Sequence, residues 1–181
     1  MDLHALIKLT NFEHSRKVSE ISALLAKWMG YSPSETEIIR QAALFHDVGK
    51  SGIAPEILNR PGKLTEREYE IVKTHVQLGS RQIAEAILFL TAAYRVAQAH
   101  HERCNGTGYP YGLTENEIHP YARLVSVADV LDALASNRPY RKALSVNEAL
   151  EYLKNQSGVL FDKDVVAVLL DRWDDVAALY R

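Results

Sequence analysis

Histidines and aspartates of the kinds that bind metals recur between positions 14 and 129 of this sequence. The set comprises His14, His46, Asp47, His75, His100, His101 and Asp129. Imidazole nitrogens and carboxylate oxygens, with no thiolate among them, favour iron, manganese, cobalt, nickel or zinc over magnesium or calcium. One ion with open coordination positions needs three or four protein ligands, so seven candidates suit two ions that share a bridging carboxylate.

Two divalent ions would give such a site the chemistry of phosphodiester hydrolysis. Ions roughly 3.5–4 Å apart can bind both phosphoryl oxygens of a diester and supply a hydroxide near pH 7. Asp47 is the candidate for the bridging carboxylate. Lys50, three residues further on, could place a cation against a phosphoryl oxygen as negative charge develops there. These two residues are therefore the candidate catalytic residues.

The adjacent pairs His46–Asp47 and His100–His101 set a condition on the elements that carry them. Successive residues of a helix point about 100° apart, so neither pair can face one point from a helix interior. Glycines follow both pairs within a few residues. We expect each pair at a helix end, where a turn permitted by glycine lets both side chains converge.

Helical patterns dominate the chain. Helices are predicted over 12–30, 32–50, 68–87, 91–102, 121–136, 147–155 and 163–180. Thr65 and Ser145, each with a glutamate three residues later, form capping boxes, and Asp162 is placed to cap the last helix. The pattern predicts an all-α bundle of about seven helices, with the loops 51–64 and 104–120 beside one site.

Length and composition limit the class of protein. The 181 residues suit a single domain over 1–181, and 47% apolar with 24% charged residues is ordinary for a globular protein. A net charge of −2 gives no general attraction to nucleic acid polymers or acidic membranes. With a single cysteine, Cys104, and neither a basic-then-apolar leader nor a membrane-length apolar run, we expect a cytoplasmic protein.

Three ordered motifs resemble those of the HD-GYP family within the HD phosphohydrolase superfamily. They are HDVGK at 46–50, HHERCNGTGYP at 100–110 and ADVLDALASNRPYR at 128–141. The resemblance implies an all-helical HD-domain fold and hydrolysis of cyclic di-GMP to linear pGpG, and often on to GMP. It places the family's metal ligands on the same seven residues, with iron or manganese foremost among the metals. It also implies substrate contacts from Lys50, Gly108, Tyr109, Pro110, Arg138 and Arg141.

Departures from the family pattern lead to further expectations. Some members carry a glutamate four residues before the first histidine ligand and bind a third metal there, but this chain has Thr10, which predicts two metals. Asn105 replaces a common aspartate and should keep the turn while losing a charge. Asp132, one helical turn after Asp129, is expected to orient a ligand histidine or Lys50.

Other interpretations stay open on the sequence alone. Some HD-GYP relatives prefer the hybrid cyclic GMP-AMP, and a general HD phosphohydrolase would act on another nucleotide. A non-catalytic domain would bind a cyclic dinucleotide or a partner protein, such as a GGDEF-type cyclase, and family members are usually joined to receiver or other sensory domains. Glu102 and Arg103 are expected to pair and brace the loop, and His4 and His119 to lie at the surface.

Overall fold

The computed structural model describes residues 12–86, 91–137 and 142–180, and these ranges contain helices, turns and loops but no strand. The helices are α1 (Phe12–Trp28), α2 (Pro33–Leu44), α3 (Pro55–Leu58), α4 (Glu66–Lys73), α5 (His75–Ala86), α6 (Thr91–Ala99), α7 (Pro120–Ala135), α8 (Val146–Asn155), α9 (Lys163–Asp171) and α10 (Trp173–Ala177). Short 3-10 helices span Val48–Gly52 and Ala178–Tyr180. The predicted all-α class is confirmed. Within the described ranges, no helix combines the length and apolarity needed to cross a membrane.

The predicted caps lie where helices begin. Thr65 and Ser145 form capping boxes with the glutamates three residues later, at the starts of α4 and α8. The Asp162 carboxylate accepts hydrogen bonds from two backbone N–H groups at the start of α9. Each such cap stabilises its helix by about 1 kcal/mol, because it satisfies N–H groups that have no partner within the helix.

The helix predicted over 32–50 ends at Leu44 and is followed by turn residues and the 3-10 helix Val48–Gly52. Two further segments that the pattern predicts as single helices are each divided into two α-helices. The first is interrupted at Thr74, whose hydroxyl donates a hydrogen bond to the carbonyl of Ile71 at 2.7 Å. A threonine hydroxyl that bonds to the preceding turn competes with the backbone hydrogen bonds of the helix. A new helix begins at His75, so this histidine lies at a helix start. The second segment is interrupted at Arg172, between α9 and α10.

The core forms around α1 and α7, which pack against each other. Val18, Ile21 and Leu25 make a fully buried stripe along α1. Helix α7 is buried over most of its surface, including two acidic side chains, Asp129 and Asp132. Burial of each large aliphatic side chain contributes about 1.5–3 kcal/mol to the stability of the fold. The two acidic residues therefore lie on a helix that is held firmly in the core.

The 3-10 helix Val48–Gly52 lies directly against α5 through a contact between glycines. A Cβ atom on Gly49 would lie 1.9 Å from the carbonyl oxygen of His75 and 2.3 Å from the backbone nitrogen of Gly79. Gly49 does not have a positive φ, whereas Gly106 does, at +77°. The expectation of a glycine-permitted turn therefore holds for the second histidine pair, while Gly49 is needed for close packing.

Candidate metal centre

The seven predicted ligands meet in the interior of the bundle. His14 comes from α1, His75 begins α5, and Asp129 comes from α7. The pair His46–Asp47 follows the end of α2, and the pair His100–His101 follows the end of α6, as the helix-end argument requires. All are buried except His101, which is half-buried.

These side chains form two groups of potential ligands. One group contains Asp47, His75, His100 and His101, and the other contains His14, His46 and Asp129. Within each group, one donor atom from every residue lies within 4.8 Å of the others. The division into two groups agrees with the number of ions expected from the sequence.

The carboxylate of Asp47 lies between the two groups. Its Oδ1 is 3.2 Å from His75 Nε2 and 3.8 Å from His100 Nε2, which belong to the first group. Its Oδ2 is 3.4 Å from His46 Nε2 and 3.8 Å from His14 Nε2, which belong to the second. One oxygen of the carboxylate therefore faces each group, which is the arrangement that a bridging ligand needs.

Asp129 faces mainly the second group. Its Oδ1 lies 3.1 Å from His14 Nε2 and 3.6 Å from His46 Nε2. Its Oδ2 is 3.9 Å from Nδ1 of His101, in the first group. Both carboxylates thus approach the Nε2 atoms of His14 and His46, and they bring two negative charges to the centre.

Backbone carbonyls determine which nitrogen each imidazole presents. Nδ1 of His46 lies 2.7 Å from the carbonyl of Ala43, and Nδ1 of His75 lies 2.6 Å from that of Val72. Nδ1 of His100 lies 3.1 Å from the carbonyl of Val96. A carbonyl only accepts, so each Nδ1 carries the proton and donates it. The neutral form of each ring therefore presents its Nε2 lone pair to the centre, as in histidines that ligate metals.

Several buried polar atoms at the centre make no hydrogen bond within the part of the chain that the structure describes. They are Nε2 of His46, His75 and His100 and Oδ1 of Asp47. A buried polar atom without a partner costs about 1–3 kcal/mol. Ligation of divalent cations would satisfy all of these atoms at once, so the donor set fits divalent transition-metal ions.

The electrostatics differ between the imidazoles. Burial lowers the pKa of His46, but the negative charges of Asp47 and Asp129 raise it more, to about 10. Burial lowers the pKa of His100 to about 3, assisted by the positive charge of His46, and burial also lowers the pKa of His101. Without metal, His46 therefore carries a proton at neutral pH, while His100 and His101 are neutral and ready to ligate.

The buried carboxylates stay ionised. Burial raises the pKa of Asp47, but Lys50 and His46 lower it more, and the pKa falls well below its usual range. Burial likewise raises the pKa of Asp129, but the neighbouring imidazoles of His14 and His46 lower it more, and the pKa falls well below its usual value. Two carboxylates at the centre of the protein are thus negative at neutral pH.

Asp132 holds His14 from the side opposite the centre. Its Oδ2 accepts a hydrogen bond from His14 Nδ1 at 2.6 Å, and Oδ1 accepts from Ser136 at 3.0 Å and from the Tyr180 hydroxyl at 3.1 Å. The prediction that Asp132 orients a ligand histidine agrees with this geometry. Sequence reasoning missed Tyr180, since no motif or spacing connects a residue so near the end of the chain to α7.

The loop after His101 is held by a buried carboxylate. Glu102 accepts hydrogen bonds from the backbone nitrogens of Tyr111 at 2.7 Å and Leu113 at 3.0 Å. Arg103 instead donates to the Ser126 hydroxyl at 2.8 Å. The expectation that Glu102 braces the loop is right, but the contact is with the loop backbone, because a buried carboxylate needs hydrogen-bond donors on both oxygens.

The turn inside this loop keeps its predicted chemistry. Oδ1 of Asn105 accepts hydrogen bonds from the backbone nitrogen and the hydroxyl of Thr107, at 3.2 and 2.7 Å. An aspartate makes the same turn, so the turn needs the side-chain oxygen and not the charge.

Lys50 and Tyr109, two of the residues expected to contact substrate, lie against candidate ligands of the centre. Lys50 Nζ forms an ion pair with Asp47 Oδ2, and the Tyr109 ring packs against the His101 ring with a centroid distance of 4.8 Å. A Cβ on Gly108 would lie 2.4 Å from the backbone of Glu102 and Arg103, so this position requires glycine. Pro110 follows in the same turn and is half-buried.

Some predicted residues lie outside the described ranges or have other roles. Thr10, His4, Arg138 and Arg141 lie outside the described residues. His119 is half-buried, and its Nδ1 accepts a hydrogen bond from the Tyr121 backbone nitrogen at the start of α7. His119 therefore caps a helix, because it directly precedes the proline that begins α7, and it is not a plain surface residue.

Comparison with known proteins gives consistent likenesses. A model of the HD domain family matches residues 2–165. A "Cyclic di-GMP phosphodiesterase response regulator" of Xanthomonas campestris pv. campestris is 43% identical over 155 residues, covering 85% of this chain and 41% of that protein. A "3'3'-cGAMP-specific phosphodiesterase 3" of Vibrio cholerae is 37% identical over 156 residues, covering 86% of this chain and 34% of that protein. The chain thus spans less than half the length of either relative.

A solved structure shares the fold. It is that of Bd1817, a HDG"Y"P protein from Bdellovibrio bacteriovorus, with a TM-score of 0.75 and 27% sequence identity. The likeness covers 92% of this chain and 53% of that one. The resemblance inferred from the three sequence motifs is confirmed by these comparisons.

Proposed function

This chain belongs to the HD domain family, and we propose that its histidine–aspartate centre holds two divalent ions and hydrolyses a phosphodiester bond of cyclic di-GMP. The observation that carries the proposal is the position of Asp47, with one carboxylate oxygen toward each ligand group. Water adds across one P–O bond, which opens the ring to linear pGpG, and a second hydrolysis would release GMP.

The metal ligands in this proposal are the two groups already described. Asp47, His75, His100 and His101 hold one ion, and His14, His46 and Asp129 hold the other, with Asp47 as the bridge. Iron or manganese is the metal that we expect first, and nitrogen and oxygen donors without thiolate also suit cobalt, nickel or zinc. When bound, two such ions supply Lewis acidity toward phosphoryl oxygens and lower the pKa of water.

The chain's own residues bind and orient the substrate. Lys50 is partly exposed beside Asp47, so its ammonium, with three donors, reaches both that carboxylate and a phosphoryl oxygen. There it stabilises the negative charge that develops on phosphorus-bound oxygen. Gly108, Tyr109 and Pro110 form the wall beside His101, against which the nucleotide lies. Arg138 and Arg141 remain the predicted contacts for a phosphate or a guanine edge.

Cyclic GMP-AMP is the second candidate substrate. The relative from Vibrio cholerae, 37% identical, is named for hydrolysis of 3'3'-cGAMP, and the relative with the higher identity, 43%, is named for cyclic di-GMP. Both substrates share the ring of two phosphodiesters and differ in one base. We therefore propose cyclic di-GMP as the substrate, and turnover of cyclic GMP-AMP by the wild type, measured beside it, compares the two candidates.

Partners and location follow from the same proposal. Both relatives are more than twice as long as their matched part, and one is named a response regulator, which supports receiver or other sensory domains as partners. A GGDEF-type cyclase stays a predicted partner. A reducing cytoplasm suits a chain with one free cysteine, Cys104, and a nucleotide substrate.

Asp47→Ala tests the proposal directly. The protein is purified without chelator, its metal is quantified, and cyclic di-GMP turnover is assayed anaerobically with manganese or ferrous iron. The wild type should bind two ions per chain. The variant should bind fewer and lose activity by on the order of a thousandfold, equivalent to about 4 kcal/mol of transition-state stabilisation.

A histidine outside the centre provides the matched control. His119→Asn keeps the cap of α7, because asparagine is a good N-cap residue, and should retain both metals and activity. Metal-loaded wild type that turns over a mononucleotide but not cyclic di-GMP would contradict the proposed substrate. Unchanged metal content in Asp47→Ala would contradict the bridging role.

A further inference from the structure

An exposed tyrosine lies beside the candidate metal centre and is not explained by packing. Tyr69 is 47% exposed, and helix α4, which carries it, buries none of its residues. Large aromatic side chains are usually covered, and an exposed ring beside a cleft is a common binding element. Lys73 lies one helical turn later, on the same face of α4.

Ring contacts connect Tyr69 to the centre. The His101 ring packs against the Tyr109 ring, and the Tyr109 ring meets the Tyr69 ring edge-to-face, with centroids 6.4 Å apart and planes at 79°. Tyr69 is therefore two ring contacts away from a candidate metal ligand. The rings of Tyr109 and Tyr69 thus form a continuous aromatic surface that starts at His101.

The ammonium of Lys73 lies near both tyrosine rings. Its Nζ is 5.3 Å from the Tyr69 centroid and 5.5 Å from the Tyr109 centroid, within the range of cation–π attraction. It also donates to Glu70 Oε1 at 2.7 Å. An ammonium has three donors, so two remain for a ligand.

From these contacts we infer that Tyr69 and Lys73 form a base subsite for the cyclic dinucleotide, an inference that rests on the proposed function. One nucleobase stacks on the exposed ring of Tyr69. Lys73 donates hydrogen bonds to the acceptor edge of that base, and guanine presents two acceptors there, O6 and N7, where adenine presents a donor and one acceptor. The subsite thus favours guanine at this position.

Steady-state kinetics of the manganese-loaded chain test the stacking. Tyr69→Ala should raise KM for cyclic di-GMP about tenfold while kcat changes little, because stacking of one base contributes on the order of five- to hundredfold in binding. Tyr69→Phe keeps the ring and should restore a KM close to that of the wild type. Ile71→Ala, also exposed and on the opposite side of α4, is the matched control and should leave KM unchanged.

Fluorescence gives a second readout that does not depend on turnover. The probe is a cyclic dinucleotide with 2-aminopurine as one base. Its fluorescence should be quenched on mixing with the wild type or with Tyr69→Phe, and should not be quenched with Tyr69→Ala. Lys73→Met should weaken binding of cyclic di-GMP more than binding of cyclic di-AMP, with both dissociation constants measured by calorimetry. An equal effect on both dissociation constants would overturn the role of Lys73 in base selection.

The outcomes separate this inference from the proposed function. If the wild type hydrolyses cyclic di-GMP and Tyr69→Ala shows the same KM and the same quenching as the wild type, the subsite is overturned. The proposal of a metal centre would then be unaffected. Wild-type protein with two bound ions and no binding or turnover of cyclic di-GMP would overturn both.

Discussion

Individual residues at the centre act through the hydrogen bonds behind them. Three imidazoles are oriented by carbonyls of their own helical turns, but His14 is oriented by the side chain of Asp132. A carboxylate behind a ligand histidine fixes the ring and raises its basicity. Asp132 is itself held by Ser136 and Tyr180, so a residue near the end of the chain supports a ligand on α1.

Loss of the Asp132 carboxylate should weaken one metal site and spare the other. We expect Asp132→Asn to reduce affinity for the ion held by His14, His46 and Asp129 by about 10- to 100-fold. Calorimetric titration with manganese should show one weakened and one unchanged binding event. Tyr180→Phe should shift the same event less, and Asp174→Asn, an exposed acid on α10, should shift neither. Equal weakening of both events would contradict the assignment of His14 to one group.

Protonation should couple to metal binding at the same group. His46 has a pKa of about 10 without metal, and the pKa of His14 is also raised, by Asp129 and Asp132 against the effect of burial. A ligating imidazole must be neutral, so filling this group at pH 7 releases protons and metal affinity rises with pH. We expect the binding enthalpy of the metal to vary with the ionisation enthalpy of the buffer. The slope of that dependence should correspond to at least one proton released per chain. Identical enthalpies in all buffers would contradict this expectation.

At the scale of elements, the centre depends on how closely the 3-10 helix Val48–Gly52 approaches α5. Gly49 and Gly79 permit backbone contact there, and His75, at the start of α5, contributes the carbonyl oxygen that a Gly49 side chain would strike. The distance between the turn that carries Asp47 and the helix that carries His75 is thus determined by two residues without side chains.

A methyl group at this contact should disturb both stability and metal binding. Gly49→Ala forces the two backbones apart and should lower the free energy of unfolding by about 3 kcal/mol. It should also reduce affinity for the ion that His75 and Asp47 share. Gly52→Ala, in the same 3-10 helix, meets only the tip of the Leu78 side chain at 3.1 Å and should be tolerated. Urea unfolding measures the free energy of unfolding of both variants, and metal titration measures their metal affinity. Equal losses of stability and affinity in the two variants would contradict the prediction.

At the scale of the whole molecule, the ligands tie together elements that are far apart in sequence. Helices α1, α5 and α7 and the turns after α2 and α6 each supply at least one candidate ligand. Without cations, two buried carboxylates and several imidazoles face each other across the core. Bound metal should therefore stabilise the entire fold, since it binds the native arrangement and not the unfolded chain.

Removal of metal should lower the melting temperature. At a free metal concentration of one hundred times Kd each ion contributes about 2.7 kcal/mol, so two ions contribute about 5.4 kcal/mol, which for a chain of this length corresponds to roughly 10–20 °C. Differential scanning calorimetry before and after chelation, and after readdition of manganese, measures the shift. Asp47→Ala should show little dependence on metal. If the melting temperature of the wild type were the same before and after chelation, the ions would make no contribution to stability and this prediction would be wrong.

Much of this molecule follows from local patterns in the sequence. The capping boxes at Thr65 and Ser145 depend on residues within one turn, and the adjacent ligand pairs could be placed at helix ends from helix geometry alone. The seven candidate ligands were named from residue types and spacing because donor chemistry belongs to the side chain itself.

Tertiary structure alone decided how those side chains are arranged. The division into two groups, the placement of one Asp47 oxygen toward each, the contact of Tyr180 with Asp132 and the approach of Tyr69 to Tyr109 all join residues on separate elements. Local sequence determines helices and caps because their partners are a few residues apart. Distances of a few ångströms between remote elements depend on how the whole core packs, and no short segment contains that information.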